Sequence, residues 1–241
     1  MNDVVQIGDA TLYHGDCLEI LPTLDKVDHV ITDPPYSERT HSGHAATASC
    51  SPTDFGADSS IRKDLGYSAL SSEDVERLSV AFHGVCSGWI VWMCDHHLAV
   101  QIQDNLEYLG RYVFAPLPYY APGSRTRLGG DGPASWTIWI MVSRTAKQHR
   151  WGTLPGGYAA GEGWREREHM GGKPTKLMDR IVNDYSRAGD TVIDPFMGSG
   201  TTGISCINLN RKFIGIETVR EHFDKSCERI EAAYAQGRLF A

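Results

Sequence analysis

Residues 191–217 read TVIDPFMGSGTTGISCINLNRKFIGIE, and the fold is decided here. Thr191–Asp194 is a short β-branched and apolar run, Gly198 and Gly200 break it, Thr201–Asn208 has helical character, and Lys212–Glu217 returns to strand-forming residues. Strand, glycine turn, helix and strand make one βαβ unit, and two parallel strands joined this way need a crossover helix. A further helix is expected from about Arg220 to Tyr234. Another runs from about Pro174 to Arg187, with Leu177, Met178, Ile181, Val182 and Tyr185 at helical spacing and proline tolerated in the first turn. The expected fold is therefore α/β, a doubly wound and mostly parallel sheet. Glycine allows positive φ and close approach of backbone to a ligand, and ligands of open α/β sheets lie outside the carboxyl ends of the strands. Glu217 ends the next strand, where a carboxylate accepts hydrogen bonds from ribose hydroxyls. The unit reads as a cradle for a nucleoside-containing cofactor. Alone it would also suit a dinucleotide, which leaves a nicotinamide-dependent oxidoreductase open.

Toward the N-terminus, Asp28–Thr32 is a strand candidate that stops at Asp33-Pro34-Pro35-Tyr36. These four residues suit one task. An exocyclic amino group on a nucleobase is a poor nucleophile because its lone pair is delocalised into the ring. If a carboxylate (Asp33) and a carbonyl (Pro34) hold its two hydrogens, the nitrogen can pyramidalise, and two prolines stiffen the loop that presents them. Tyr36 offers a ring on which a base can stack. From Ser37 to Ser71 the chain is polar and aperiodic, which reads as a long loop that closes over a target base. Beyond it, Ser72 opens a helix, and Gly88–Met93, Arg111–Ala115 and Trp136–Val142 are strand candidates.

The 241 residues are 41% hydrophobic and 22% charged, enough to bury the core of one sizeable domain, and no repeat or linker divides them. No apolar run approaches the ~18 residues that span a bilayer, and the N-terminus lacks a signal-peptide pattern, so a soluble cytoplasmic protein is expected. Six scattered cysteines without a CxxC pair read as reduced thiols. Cys94-Asp95-His96-His97 looks like a set of metal ligands, but adjacent residues rarely converge on one ion, and no metal is expected. The net charge of −7 is uneven. Residues 111–176 carry ten basic side chains against four acidic ones, and the remainder carries thirteen against twenty-six. A basic middle in an acidic chain reads as a local contact surface or, alternatively, as a solvated charged face.

Taken together, Asp33–Tyr36 and Asp194–Thr202 resemble the signature of the S-adenosylmethionine-dependent DNA amino-methyltransferases, which methylate adenine N6 or cytosine N4. The tetrapeptide precedes the cofactor turn, an order that resembles the family's β group. The resemblance implies catalytic roles for Asp33, Pro34, Pro35 and Tyr36. It implies an S-adenosylmethionine site built from Asp33, Asp194, Pro195, Phe196, Gly198, Ser199, Gly200, Thr201 and Glu217. Asp16 and Cys17 resemble the segment that contacts the cofactor's adenine, and Lys173 with Thr175 the segment that holds its methionine carboxylate. Target recognition falls in residues 144–170. Arg144, Lys147, His149, Arg150, Trp151, Trp164, Arg165 and Arg167, with Arg125 and Arg127 upstream, are then the candidates for contact with double-stranded DNA. A homodimer is implied as well. The tetrapeptide leans toward adenine N6, with cytosine N4 as the alternative substrate and a catalytically silent DNA-binding regulator as the alternative of another class. Direct transfer to an amino group requires no cysteine nucleophile.

Overall fold

Ile90–Cys94 (β4) and His29–Thr32 (β3) are wholly buried along their length, the pattern of strands covered on both faces. They are central strands of the ten-stranded sheet in the computed structural model, which describes residues 3–38, 40, 68–121, 137–145, 151–160 and 173–239. The other strands are β1 (Asp3–Ile7), β2 (Ala10–His14), β5 (Tyr112–Val113), β6 (Leu117–Tyr120), β7 (Thr137–Arg144), β8 (Tyr158–Ala159), β9 (Thr191–Asp194) and β10 (Lys212–Glu217). Their spatial order is β1-β2-β10-β9-β3-β4-β7-β6-β8, with β5 also on β7. β2, β10, β9, β3 and β4 are mutually parallel, as the βαβ reading requires. β1 and β7 run antiparallel on either side of them.

The helices are α1 (Cys17–Ile20), α2 (Ser72–Val85), α3 (His96–Tyr108), α4 (Thr175–Tyr185), α5 (Thr201–Asn208) and α6 (Arg220–Leu239). Alternation along the strands sorts the core into two layers. Ile31, Val91, Met93 and Val192 face Leu177, Met178 and Ile181 of α4, Cys206 of α5, and Phe223 and Ile230 of α6. Val30, Ile90, Trp92 and Ile193 face Ile20 of α1, Val75, Leu78 and Phe82 of α2, and Leu98, Ile102 and Leu106 of α3. Successive strand residues point to opposite faces, and the doubly wound form follows.

From β3 the chain moves one way along the sheet to β4, and from β9 it moves the other way to β10, yet β3 and β9 are neighbours. Strand order reverses between them. Such a switch point opens a crevice beyond the carboxyl ends of the two strands. Those ends are Thr32 and Asp194, the residues that lead into the proline tetrapeptide and the glycine turn.

Several elements depart from the sequence reading, α1 and β8 among them. The β1–β2 hairpin turns through Gly8, whose φ of 56° is in the left-handed region. β6 is an additional strand, and β5 is confined to Tyr112–Val113. α3 occupies the stretch that begins with the metal-like tetrad. Its Leu98, Ala99, Ile102 and Leu106 are spaced for one buried face, and Asp95 is its N-cap, not a ligand. Among the described residues no group of His, Cys, Asp and Glu is placed to hold a metal, no cysteines are paired, and no helix is long and apolar enough to cross a membrane.

Candidate active site

Asp33 leaves β3 at the switch point and Tyr36 folds back over it. The Tyr36 hydroxyl donates to Asp33 Oδ1 at 2.7 Å. Burial, and then the Asp33 charge, hold that phenol well above its ordinary range, so it remains a donor. The Lys173 ammonium pairs with Asp33 Oδ2 and stands 5.2 Å from the centre of the Tyr36 ring. Lys173 lies just before α4, whose first residue is Thr175 and whose N-cap is Pro174. The resemblance assigned this lysine to a ligand carboxylate, and here it pairs with Asp33. An ammonium has three donors, so the pairing with Asp33 leaves capacity for a ligand carboxylate at the same helix N-terminus.

The glycine turn is tied to the tetrapeptide through a buried carboxylate. Asp194, 2% exposed, accepts from Thr32 Oγ1 on β3 at 2.7 Å, from Thr202 Oγ1 on α5 at 2.6 Å, and from the Phe196 amide at 3.1 Å. Complete burial outweighs these bonds and raises its pKa to about 6. The Asp194 side chain is thus engaged by the protein itself. Its oxygens are directed to protein donors, and it joins the ends of β3 and β9.

Gly198 and Gly200 have φ of 52° and 80°, as a turn with positive φ demands. A Cβ on Gly198 would meet nothing within 4 Å, so the backbone there is open to a ligand; on Gly200 it would press on Ser226 of α6 at 3.1 Å. Glu217 closes the cradle. Its Oε2 accepts from the Gly198 amide at 2.9 Å and its Oε1 from the Val219 amide at 2.8 Å, which leaves the second lone pair of each oxygen for ligand hydroxyls. Asp16 caps α1 through the Leu18 amide at 2.8 Å, and the Gly15 amide donates to the Glu217 carbonyl, so Asp16 and Glu217 border the same crevice. Pro195 is buried and Phe196 half-buried between the two strand ends.

Two further cofactor candidates also have their side chains engaged within the protein. Cys17 turns its thiol into the core, where burial and then the Asp16 charge push it up to about 12. Ser199 is 2% exposed, and its hydroxyl and carbonyl both accept from Arg229 Nη1 of α6, at 2.8 and 2.6 Å. Arg229 also reaches Thr201 Oγ1 at 3.4 Å. Nothing in the sequence near the turn announces this clamp, since it comes from thirty residues downstream on another helix.

Of the DNA-contact candidates, Arg125, Arg127, Lys147, His149, Arg150, Trp164, Arg165 and Arg167 lie outside the described residues, as do residues 41–67 of the long loop. Arg144 and Trp151 are described, and they sit at the opposite end of the sheet. β7 runs antiparallel to β4, so Arg144 emerges beside the start of β4, stacked on Tyr112 and Phe114. Trp151 packs edge-on to Trp89 and His29 at that same end, with the Arg187 guanidinium 3.9 Å from its ring centre. Both are held in packing contacts at that end. Aromatic and cationic residues serve cation–π packing as readily as they serve nucleic acid.

A carboxylate at a switch point, prolines behind it, a tyrosine on it and a glycine turn on the neighbouring strand end make up the site. The DNA methylase family profile of the N6/N4 type matches residues 124–228, which include the glycine turn and Glu217. The type II methyltransferase M2.DpnII of Streptococcus pneumoniae is 41% identical over 102 residues, 42% of this chain and 32% of that protein. Over this segment the chain is similar to the N6/N4 DNA methylase family. It covers about a third of the length of the curated relatives it matches. Among solved structures, the M1.HpyAVI–SAM complex superposes with a TM-score of 0.65 at 26% identity, over 91% of this chain and 99% of that one. The cytosine-N4-specific PvuII DNA methyltransferase gives 0.68 at 15% identity, over 96% and 93%, a likeness of fold. The family profile does not extend to Asp33–Tyr36, so the step that joins the tetrapeptide to the family's cradle is the geometry at the β3–β9 switch point.

Proposed function

We propose that this chain transfers a methyl group from S-adenosylmethionine to the N6 amino group of adenine in duplex DNA. The observation that carries the reading is that Asp33 and Tyr36 follow β3 and the glycine turn follows its neighbour β9, with Asp194 joining the two through Thr32 and Thr202. The chain's residues fit the cofactor. Lys173 suits its carboxylate, Glu217 its ribose, the open backbone at Gly198 a close approach, and Asp16 borders the crevice where its adenine would lie. When bound, S-adenosylmethionine supplies a methyl carbon made electrophilic by the sulfonium.

The remaining work is positioning. Asp33 and the Pro34 carbonyl accept the two hydrogens of the amino group and so release its lone pair. Positive charge then develops on that nitrogen, and the Asp33 carboxylate stabilises it without reorganising, because Tyr36 and Lys173 already hold the carboxylate in place. The proton that the methylated nitrogen sheds passes to Asp33. Base flipping is required because the amino group of a paired adenine points into the stack's groove and cannot reach a crevice between strands. Cys17, Cys94 and Cys206 are buried, with thiols pushed upward by desolvation, which supports direct transfer over a covalent enzyme intermediate.

Adenine is favoured over cytosine N4 by the resemblance of the tetrapeptide, although both amino groups present the same chemistry to Asp33. Sequence recognition belongs to the basic stretches around 125–127 and 144–170, and closure over the base to residues 37–71; a second copy of the chain completes the short recognition surface. The test is incubation with S-adenosylmethionine and unmethylated duplexes, digestion to nucleosides and mass spectrometry. N6-methyladenine is expected, and its loss in Asp33→Ala with cofactor binding retained separates the enzyme from a silent DNA-binding regulator. N4-methylcytosine would overturn the adenine assignment. Neither product, with cofactor bound, would overturn the transferase reading on DNA.

A further inference from the structure

Asp95 follows β4 directly and is 3% exposed. Its two oxygens have separate duties. Oδ1 caps α3, accepting from the His97 and Leu98 amides at 3.0 and 3.1 Å. Oδ2 takes the chain that leaves the tetrapeptide: it accepts from the Ser37 amide at 3.1 Å, from the Ser37 hydroxyl, and from Thr40 Oγ1 at 2.5 Å. A helix cap needs only the first oxygen. Three donors on the second, all from residues just beyond Tyr36, are more than capping explains. Five bonds to one buried carboxylate also keep it ionised: desolvation opposes the charge, but the Ser37 and Thr40 hydroxyls and the backbone amides prevail, and the pKa falls below its ordinary value.

Tyr36 is thus fixed from both sides. Its own carbonyl accepts from the Leu70 amide at 3.0 Å, and the next residue's amide and hydroxyl are held by Asp95. The Thr40 amide closes a turn on the Ser37 carbonyl at 2.9 Å, so the stretch from 37 to 40 is pinned at each end to one side chain. We infer that Asp95 is a positioning residue for methyl transfer: anchored on α3, it holds Ser37 and Thr40 so that Tyr36, and through it the Asp33 carboxylate, meet the target amino group in register. This rests on the transferase reading above and adds to it a residue that never touches the base. The metal-like tetrad of the sequence thereby acquires a function. Its aspartate fastens the catalytic loop to the far side of the sheet.

Asp95→Asn tests it, because the amide oxygen can still cap α3 while the NH2 group faces three donors it cannot satisfy. Active sites are counted by S-adenosylmethionine binding stoichiometry, and methylation is followed in single turnover with saturating duplex. The expected result is a rate per binding site lower by about ten- to a hundredfold, the cost of misplacing a reacting group by about an ångström, with cofactor affinity within about twofold of wild type. The double variant Ser37→Ala/Thr40→Ala leaves the cap intact and should lose rate to a similar degree, and adding Asp95→Asn to it should cost little more. A merely structural role would lower the number of binding sites or the melting temperature and leave the rate per site unchanged, which overturns the inference. A wild-type rate in Ser37→Ala/Thr40→Ala also overturns it, since Asp95 would then act through α3 alone. Wild-type protein is assayed first. If it methylates no DNA, the transferase reading itself fails and this inference falls with it, whereas an active wild type beside unaffected variants sinks the inference alone.

Discussion

Tyr36→Phe removes the hydroxyl and with it the bond to Asp33. The hydroxyl donates to an ionised carboxylate at 2.7 Å, and bonds to charged groups contribute about 1.5 to 3 kcal/mol when one partner is deleted. Two features place this bond at or below the lower end of that range. The Asp33 side chain is 21% exposed, so water can replace the lost donor in part, and Lys173 continues to hold Oδ2. A loss of about 1 to 2 kcal/mol at the transition state corresponds to a rate reduction of about five- to thirtyfold, at 1.36 kcal/mol per factor of ten. The assay is single-turnover methylation at saturating cofactor and duplex, alongside equilibrium binding of S-adenosylmethionine, which should change less than twofold because Tyr36 holds the carboxylate and not the cradle. Tyr36→Ala should fall further, since base stacking on the ring contributes about 1 to 3 kcal/mol. The phenol is held far above neutrality, so it donates at every pH from 6 to 9, and the ratio of wild-type to Phe rates should be constant across that window. A Phe variant at the wild-type rate would refute the role given to the hydroxyl. A ratio that collapses toward one as pH rises to 9 would show that the phenol ionises and is not buried as described.

Other consequences follow from the cradle. In Gly215→Ala the new methyl would collide with Met197 Sδ and lie 2.7 Å from Phe213 Cε1, so Met197 must shift and carry the glycine turn with it. Such overpacking costs about 1 to 3 kcal/mol, and weaker S-adenosylmethionine binding together with a lower denaturation midpoint is expected; unchanged affinity would mean the turn is not coupled to β10 through Met197. Arg229→Met removes the clamp on Ser199 while keeping the aliphatic stem, and calorimetric titration should give weaker cofactor affinity by about tenfold, the worth of a charge-assisted bond. Asp194 has a folded-state pKa near 6 against 3.8 unfolded, so the folded protein binds its proton first, and this contribution to stability appears as pH falls from 7 through 6 and is complete below about 4. Urea unfolding at pH 7 and pH 5 should therefore show a gain at pH 5, of order 1 kcal/mol or more, that Asp194→Asn lacks; identical pH dependence in the two proteins would count against the buried carboxylate.

Much of the architecture could be read from residues 174–217. Local propensity and spacing suffice there, because a β-branched run, two glycines and an amphipathic helix each state their conformation within a few residues. The helix from Thr175 to Tyr185 lies within the limits read from its apolar spacing, and β9, α5 and β10 match their expected limits. Short two-sided elements were less legible. The β1–β2 hairpin lies at the sheet edge with mixed exposure, and α3 hid beneath a tetrad whose side chains looked like ligands. The Asp33–Tyr36 tetrapeptide and the glycine turn were equally plain, since each depends on residue types at fixed spacing.

Who contacts whom across the chain was not legible. Lys173 on Asp33 spans 140 residues, Thr32 on Asp194 spans 162, and Arg229 reaches back 30 to Ser199 from a separate helix. Sequence spacing carries no record of such pairs, because they arise only when strand order brings β3 beside β9 and packs α6 against α5. The same is true of which end of the sheet a residue occupies. Arg144 and Trp151 have the composition of a DNA contact, and the antiparallel direction of β7 puts them opposite the crevice. Composition and periodicity fix conformation and chemical type, whereas the placement of a side chain in a site is a property of topology, set by hydrogen-bonded strand pairing and the burial of two apolar faces at once.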